Sequence, residues 1–173
     1  TADTGDTFVY DSTVPTMAIT STTVTSGDTS NDATIALAFT SSESTANLVS
    51  GDVTLSAGSI SSSFAGSGTG YTATFTPSGD ATFTISIAAG AFTDTAGNSN
   101  TVSNSFTWTY DSTALTMTIA STTSGVTSGA TTNDATIALT FTSNEATTSL
   151  TDDDVTISGG TLSSFAGSGT DYT

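Results

Sequence analysis

Of the 173 residues, 43 are threonine and 29 serine, 14 are aspartate and 2 glutamate, and none is lysine, arginine, histidine or cysteine; the formal charge is −16 with no base to pair with any of it. Nucleic-acid and anionic-membrane binding, which draw their affinity from Lys and Arg, are excluded. So are disulfides, zinc sites, Cys or His nucleophiles and Schiff-base lysines, which leaves any catalysis to carboxylates and hydroxyls.

High charge with only 35 % apolar residues is the composition of a disordered chain. The order of the residues argues otherwise, because apolar positions alternate with Thr and Ser in one segment after another and Thr is a β-branched strand former. A mucin-like stalk needs proline, and only Pro15 and Pro77 are present. No apolar run approaches the roughly 18 residues of a membrane span, so direct membrane insertion is not expected. There is no Asn-x-Ser/Thr sequon, which leaves O-linked sugars as the only glycosylation open to the chain.

In chain order, Met17 and Ile19 mark a first strand. Ala33, Ile35, Leu37 and Phe39 alternate with Thr34, Ala36, Ala38 and Thr40 in a second, and Val53 with Leu55 marks a third. Ile60 and Phe64 flank an irregular fourth; Tyr71, Ala73 and Phe75 define a fifth, Phe83, Ile85 and Ile87 a sixth, and Phe106, Trp108 and Tyr110 a seventh. Turns fall at Ser26-Gly27-Asp28, Ser50-Gly51-Asp52, Gly66-Ser67-Gly68, Pro77-Ser78-Gly79-Asp80 and Thr95-Ala96-Gly97-Asn98. Seven short strands with one apolar face each predict an all-β antiparallel sandwich. Ile35, Leu37, Phe39, Phe75, Phe83, Ile85 and Trp108 are expected to point inward, since a slip of one residue would put all of them in water. Trp108 shares its phase with Phe106 and Tyr110, which favours core packing over a sugar platform.

The chain also repeats itself. Tyr10-Asp11-Ser12-Thr13 returns as Tyr110-Asp111-Ser112-Thr113, Asn31-Asp32-Ala33-Thr34-Ile35-Ala36-Leu37 returns at 133–139, and Phe64-Ala65-Gly66-Ser67-Gly68-Thr69 returns at 165–170. A period near one hundred residues is a whole domain, so the sequence reads as an array. Residues 1–10 align with the closing strand of a preceding repeat, 11–110 form a complete repeat, and 111–173 begin the next and stop before its final two strands. The expectation is a window on a longer protein whose last sandwich is completed by further sequence or by another chain.

Together these motifs resemble the bacterial Ig-like repeats of large surface proteins and adhesins. The resemblance is carried by Tyr10-Asp11-Ser12-Thr13, Phe39-Thr40-Ser41-Ser42-Glu43, Gly51-Asp52-Val53-Thr54, the run from Gly68 to Pro77, and the run from Ala89 to Asn98 with its Asp94-Thr95-Ala96-Gly97-Asn98 core. Leu115 in place of Pro15 is a departure at the second junction. The resemblance implies tandem Ig-like β-sandwich domains, an extracellular cell-surface location, and calcium at domain junctions.

In such a sandwich the entering chain and two inter-strand loops meet at one pole, and here they supply Asp11, Glu43, Asp94 and Asn98. The opposite pole carries Asp28, Asp32 and Asp80, and Asp111 and Glu145 repeat the first set in the following domain. Oxygen ligands gathered without any base suit a hard cation, and calcium takes six to eight of them. Asp28, Asp52 and Asp80, next to Gly in turns, are expected to cap those turns. Asp152-Asp153-Asp154 is expected to be a solvated loop in which Asp154 matches Asp52.

A glycosidase needs two carboxylates across a cleft, one with a raised pKa. These lie in turns and recur in each copy, which marks a scaffold and not an enzyme. The expected function is a structural, non-catalytic segment of an adhesin stalk or filament, stiffened by calcium. Its expected partners are neighbouring repeats of the same chain and, in a filament, other copies. Alternatives are an adhesive module whose Thr-rich faces bind a glycan, an ice-like surface or a partner, and a filament subunit joined by strand addition.

Overall fold

The computed structural model describes Thr7, residues 9–61 and residues 64–173. The chain falls into two units, Thr1–Ser112 and Thr113–Thr173. Residues 1–6 and 8, on which most of the expected closing strand of a preceding repeat falls, lie outside the described residues. Thr7, Val9 and Tyr10 belong to no strand and are exposed.

Among its described residues the first unit has eight strands: β1 (Met17–Ser21), β2 (Thr29–Ser30), β3 (Ile35–Thr45), β4 (Val53–Leu55), β5 (Ser59–Ile60), β6 (Ala65–Thr76), β7 (Ala81–Ile87) and β8 (Phe106–Tyr110). They form two four-stranded sheets in the orders β1-β3-β6-β5 and β2-β8-β7-β4. All pairings are antiparallel except that of β2 with β8. β2 is the one strand here beyond the seven expected, and the period of two did not announce it. Two residues between turns carry no alternation, and they are extended because Asp28 and Ser30 offer their carbonyls to the N–H groups of Thr109 and Asp111. The second strand starts at Ile35 and not at Ala33, and the irregular fourth shrinks to Ser59–Ile60.

The seven residues expected inside are all buried. Ile35, Leu37, Phe39 and Phe75 come from one sheet, and Phe83, Ile85 and Trp108 from the other. Phe75 meets Phe83 and Trp108 edge-on at centroid distances of 5.2 and 6.1 Å, within the range where aromatic pairs attract beyond their buried area. The indole Nε1 of Trp108 donates to Ser30 Oγ at 3.0 Å, and Ser30 Oγ donates to Asp32 Oδ2 at 2.7 Å, so the polar end of the ring is satisfied. Val24, Leu48 and Phe92 are buried as well, although they stand in loops where no period marks them.

The long connection from β7 to β8 is held by two asparagines. Buried Asn100 accepts from the N–H of Phe92 and donates to the carbonyls of Ala88 and Thr101. Asn104 accepts from the N–H of Ile19 at 2.7 Å and donates to the Ile19 carbonyl at 2.9 Å. An amide side chain thus takes the place of another strand beside β1 and seals an edge that would otherwise invite pairing.

The second unit holds β9 (Met117–Ser121), β10 (Leu139–Thr147) and β11 (Gly167–Tyr172) in the order β11-β10-β9, both pairs antiparallel. These repeat β1, β3 and β6. Even the bulge recurs: register shifts between Thr40 and Thr45 in β3 and between Thr142 and Thr147 in β10. Beside it, Tyr71 hydroxyl bonds Thr45 Oγ1, and Tyr172 hydroxyl bonds Thr147 Oγ1 at 2.6 Å. No described residue is in an α-helix; short 3₁₀ turns occupy Ser50–Asp52 and Asp152–Asp154.

Candidate metal site at one pole of the first unit

Three chain segments meet at the pole predicted to hold them. The Asp94–Asn98 turn closes on itself, with the Asp94 N–H donating to the Asn98 carbonyl at 3.1 Å. It is fastened to the end of β3 by a bridge between Thr45 and Asp94 and by the bond from the Ala46 N–H to the Thr93 carbonyl. The entering chain is tied in by Asn98 Nδ2, which donates to the Asp11 carbonyl at 3.2 Å. Asp11 Oδ1 accepts from the Thr13 N–H at 2.9 Å, an Asx turn that fixes its carboxylate.

Asp94 is buried, 3 % exposed. Its Oδ1 accepts from the N–H groups of Gly97 and Asn98 at 2.6 and 2.8 Å, and its Oδ2 from Asn98 Nδ2 at 2.9 Å. Burial works to raise its pKa, but the hydrogen bonds from Asn98, Gly97 and Ala96 outweigh it and hold the carboxyl below its ordinary value. Glu43 lies the other way. Burial first, then the charges of Asp11 and Asp94, push its pKa up against a hydrogen bond from Thr13. Its Oε2 is buried with no hydrogen-bond partner.

The structure therefore brings Asp11, Glu43, Asp94 and Asn98 to one place. Among the described residues, no three or more Asp or Glu side chains stand ready round a single metal position, and both oxygens of Asp94 are already engaged by its own turn. The donor set nonetheless suits a hard cation, with only oxygens available as ligands, one of them orphaned, and no base nearby. The repeated pair is divided between the units: Asp111 belongs to the first, where its N–H donates to the Ser30 carbonyl, and half-buried Glu145 belongs to the second, where its carbonyl accepts from Ser143 Oγ.

The remaining carboxylates sort by geometry. Asp28 caps its turn through the Thr25 N–H, Asp52 through that of Val49, and Asp154 matches Asp52 through that of Thr151. The Asp152–Asp154 run is exposed, as expected. Asp80 differs: its Oδ1 accepts from the N–H and hydroxyl of Ser112, 32 residues away. The turn residues predict a local cap and do not announce Ser112, which the converging strand ends place within reach. The outward Thr residues form a short rank, Thr82 opposite Thr109 and Thr84 opposite Thr107, and the first pair share a hydrogen bond of 2.8 Å.

Neither a curated protein nor a solved structure matches the chain significantly. The family described as bacterial Ig-like domain matches residues 11–110, the span of the complete repeat read from the sequence, which holds every strand described in the first unit's two-sheet sandwich. On that match, which covers more than half of its length, the chain belongs to the bacterial Ig-like domain family.

Proposed function

We propose that the chain is a mechanical segment of a bacterial extracellular surface protein, an adhesin stalk or a filament, and that calcium stiffens it at the Asp11 pole. Domains of this family are typically non-enzymatic and commonly occur in extracellular or surface proteins. The observation that carries the calcium reading is Glu43: a carboxylate oxygen buried without a partner, beside two further carboxylates, in a chain with no base to neutralise them.

Asp11 stands where the polypeptide enters the domain, whereas Asp94 and Asn98 belong to the loop that closes the sandwich. Glu43, at the end of β3, would be the ligand most relieved by a cation, and Asp11 would bind the entering chain to the pole. Calcium when bound supplies positive charge to these oxygens. Without it, like charges at close range loosen the attachment, and only salt screens them. The outward Thr rank supports an adhesive role less well, because Thr82 and Thr109 satisfy each other.

Thermal melts in calcium and in chelator test this directly. At ten times a dissociation constant of the order of 10⁻⁴ to 10⁻³ M, usual for extracellular modules, the first unit should gain about 1.4 kcal/mol. Asp94→Ala should abolish the gain. A melt indifferent to calcium would leave these residues as turn caps.

A further inference from the structure

The chain enters the first unit at one pole and leaves it at the other. β3 begins at Ile35, opposite Phe75 and next to the turn at 77–80, and ends at Thr45, which is bridged to Asp94. Asp11 is tied to Asn98 at the Asp94 end, and Ser112 to Asp80 at the turn end. β1 leads away from the Asp11 pole, with Met17 opposite Ser41 and Ser21 opposite Leu37, and β8 runs from Phe106 opposite Ile85 to Tyr110 opposite Ala81. The entering and the leaving strand therefore run in the same sense, from the first pole to the second.

A row of hydrogen bonds joins the entering chain to the leaving one. The Thr107 N–H donates to Ser26 Oγ at 3.0 Å, and the Thr107 carbonyl accepts from the Gly27 N–H at 2.8 Å. The Asp28 carbonyl accepts from the Thr109 N–H at 2.9 Å and the Ser30 carbonyl from the Asp111 N–H at 3.1 Å, which makes the parallel joint of β2 with β8. Upstream, Asn104 brackets Ile19 with two further bonds. Downstream, Asp80 closes the row: its Oδ1 takes the N–H and the hydroxyl of Ser112, at 2.9 and 2.7 Å, on the residue that follows the last ladder donor. Bonds to a carboxylate are the stronger kind, and this one holds the last residue of the unit.

Tension along the chain pulls β1 back toward Asp11 and β8 forward past Ser112, each along its own axis. Ladder bonds run across the strands, so such a pull shears the whole row together and does not open it bond by bond. We propose that the joint between residues 26–30 and 107–111, closed by Asp80 on Ser112, is the clamp that carries load through the first unit, with Asp80 as its catch. The proposal rests on the mechanical reading above, since only a chain pulled by its ends needs such a clamp. A pull between the turn at 77–80 and the exit, both at one pole, would instead peel β8 from β7, starting at Ala81 and Tyr110.

The absence of cysteine from the chain lets two introduced thiols set the direction of pull. Single-molecule force measurements on the full chain, in chelator so that the outcome does not depend on the Asp11 pole, compare Ser12→Cys with Ala114→Cys against Ser78→Cys with Ala114→Cys. Forced unfolding reports the unfolding barrier, and the end-to-end pull is expected to need about twice the force of the peeling pull or more. Asp80→Ala should lower the end-to-end force, and Asp80→Asn, which keeps an acceptor oxygen, should restore most of it. Asn47→Ala, which removes a side-chain tie to Thr93 away from this path, should leave it unchanged. Equal forces in the two directions overturn the clamp, and an Asp80→Ala chain that unfolds at the unsubstituted force overturns its catch. Equal lowering by Asp80→Ala and Asn47→Ala also overturns it, since that is a loss of general stability. These outcomes are separate from the calcium melts, which test the stalk reading itself.

Discussion

Met17 and Met117, Ile19 and Ile119, and Phe39 and Phe141 occupy the same places in the repeat, and their strands carry the same register. Phe39 and Phe141 are equally buried, at 0 and 2 % exposed. Met17 is 4 % exposed where Met117 is 37 %, and Ile19 is 2 % where Ile119 is 57 %. The difference separates two kinds of burial. Phe39 and Phe141 are each covered locally, by a Phe–Tyr stack in the chain that follows: Phe64 on Tyr71 at 5.6 Å and Phe165 on Tyr172 at 5.5 Å. Gly66 and Gly167 permit that fold-back at φ of 146° and 153°, where a Cβ would strike the carbonyl oxygens of Gly70 and Asp171 at 2.2 and 2.4 Å. Met17 and Ile19 instead depend on β7 and β8, which arrive roughly sixty to ninety residues further along the chain.

The sharpest way to break the comparison is to damage the covering sheet. Phe83→Ala should cost the first unit about 3–5 kcal/mol as a cavity mutation. Trp108, the sole tryptophan, lies in that unit, so its fluorescence should report a lowered melting temperature. Amide exchange in β9–β11 should not change. An unshifted tryptophan melt would mean the strand phase is wrong.

Next is the matched pair. Met17→Ala should cost about 2–5 kcal/mol, whereas Met117→Ala, truncating an exposed side chain, should stay within about 0.5 kcal/mol. Equal losses in urea titrations would show that the two faces are covered alike. Third, Asn104→Ala removes two bonds to the Ile19 backbone and should cost the first unit about 1–3 kcal/mol. It should also leave β1 open, so light scattering at high protein concentration should rise.

The smallest effect is one of pH and carries the sign of two opposed shifts. Glu43 has its folded pKa raised above 4.5, so its ionised form weakens the fold; lowering the pH through that raised value relieves the penalty and stability rises. Asp94 has its folded pKa depressed below 3.8, so the stability it contributes is present above 3.8 and is lost as the pH falls through the folded value. Without divalent cations the first unit should therefore be most stable in mild acid, above the range where Asp94 protonates. Glu43→Gln should raise its neutral-pH melting temperature and flatten the acid rise. A profile identical to that of the unsubstituted chain would remove Glu43 from the pole's electrostatics.

Periodicity by itself determined much of this molecule, namely the sandwich class and the inward phase of Ile35, Phe75 and Trp108, whereas the meeting of Asp11, Glu43, Asp94 and Asn98 is expected only from the loop topology of the Ig-like fold that the motifs resemble. Alternation is a local property of a strand, and a two-residue pattern reports which side chains share a face whatever lies opposite. Residues without a period became legible only in three dimensions. Phe92 and Leu48 are core residues in loops, β2 is a strand only because β8 lies beside it, Asp80 reaches Ser112 because strand ends converge, and Asn104 acts as an edge because Ile19 is its neighbour. Tertiary structure also decided the fate of identical sequence. Ile19 and Ile119 obey the same pattern, but burial requires a second surface: β7 and β8 supply it for Ile19, and no described strand covers Ile119.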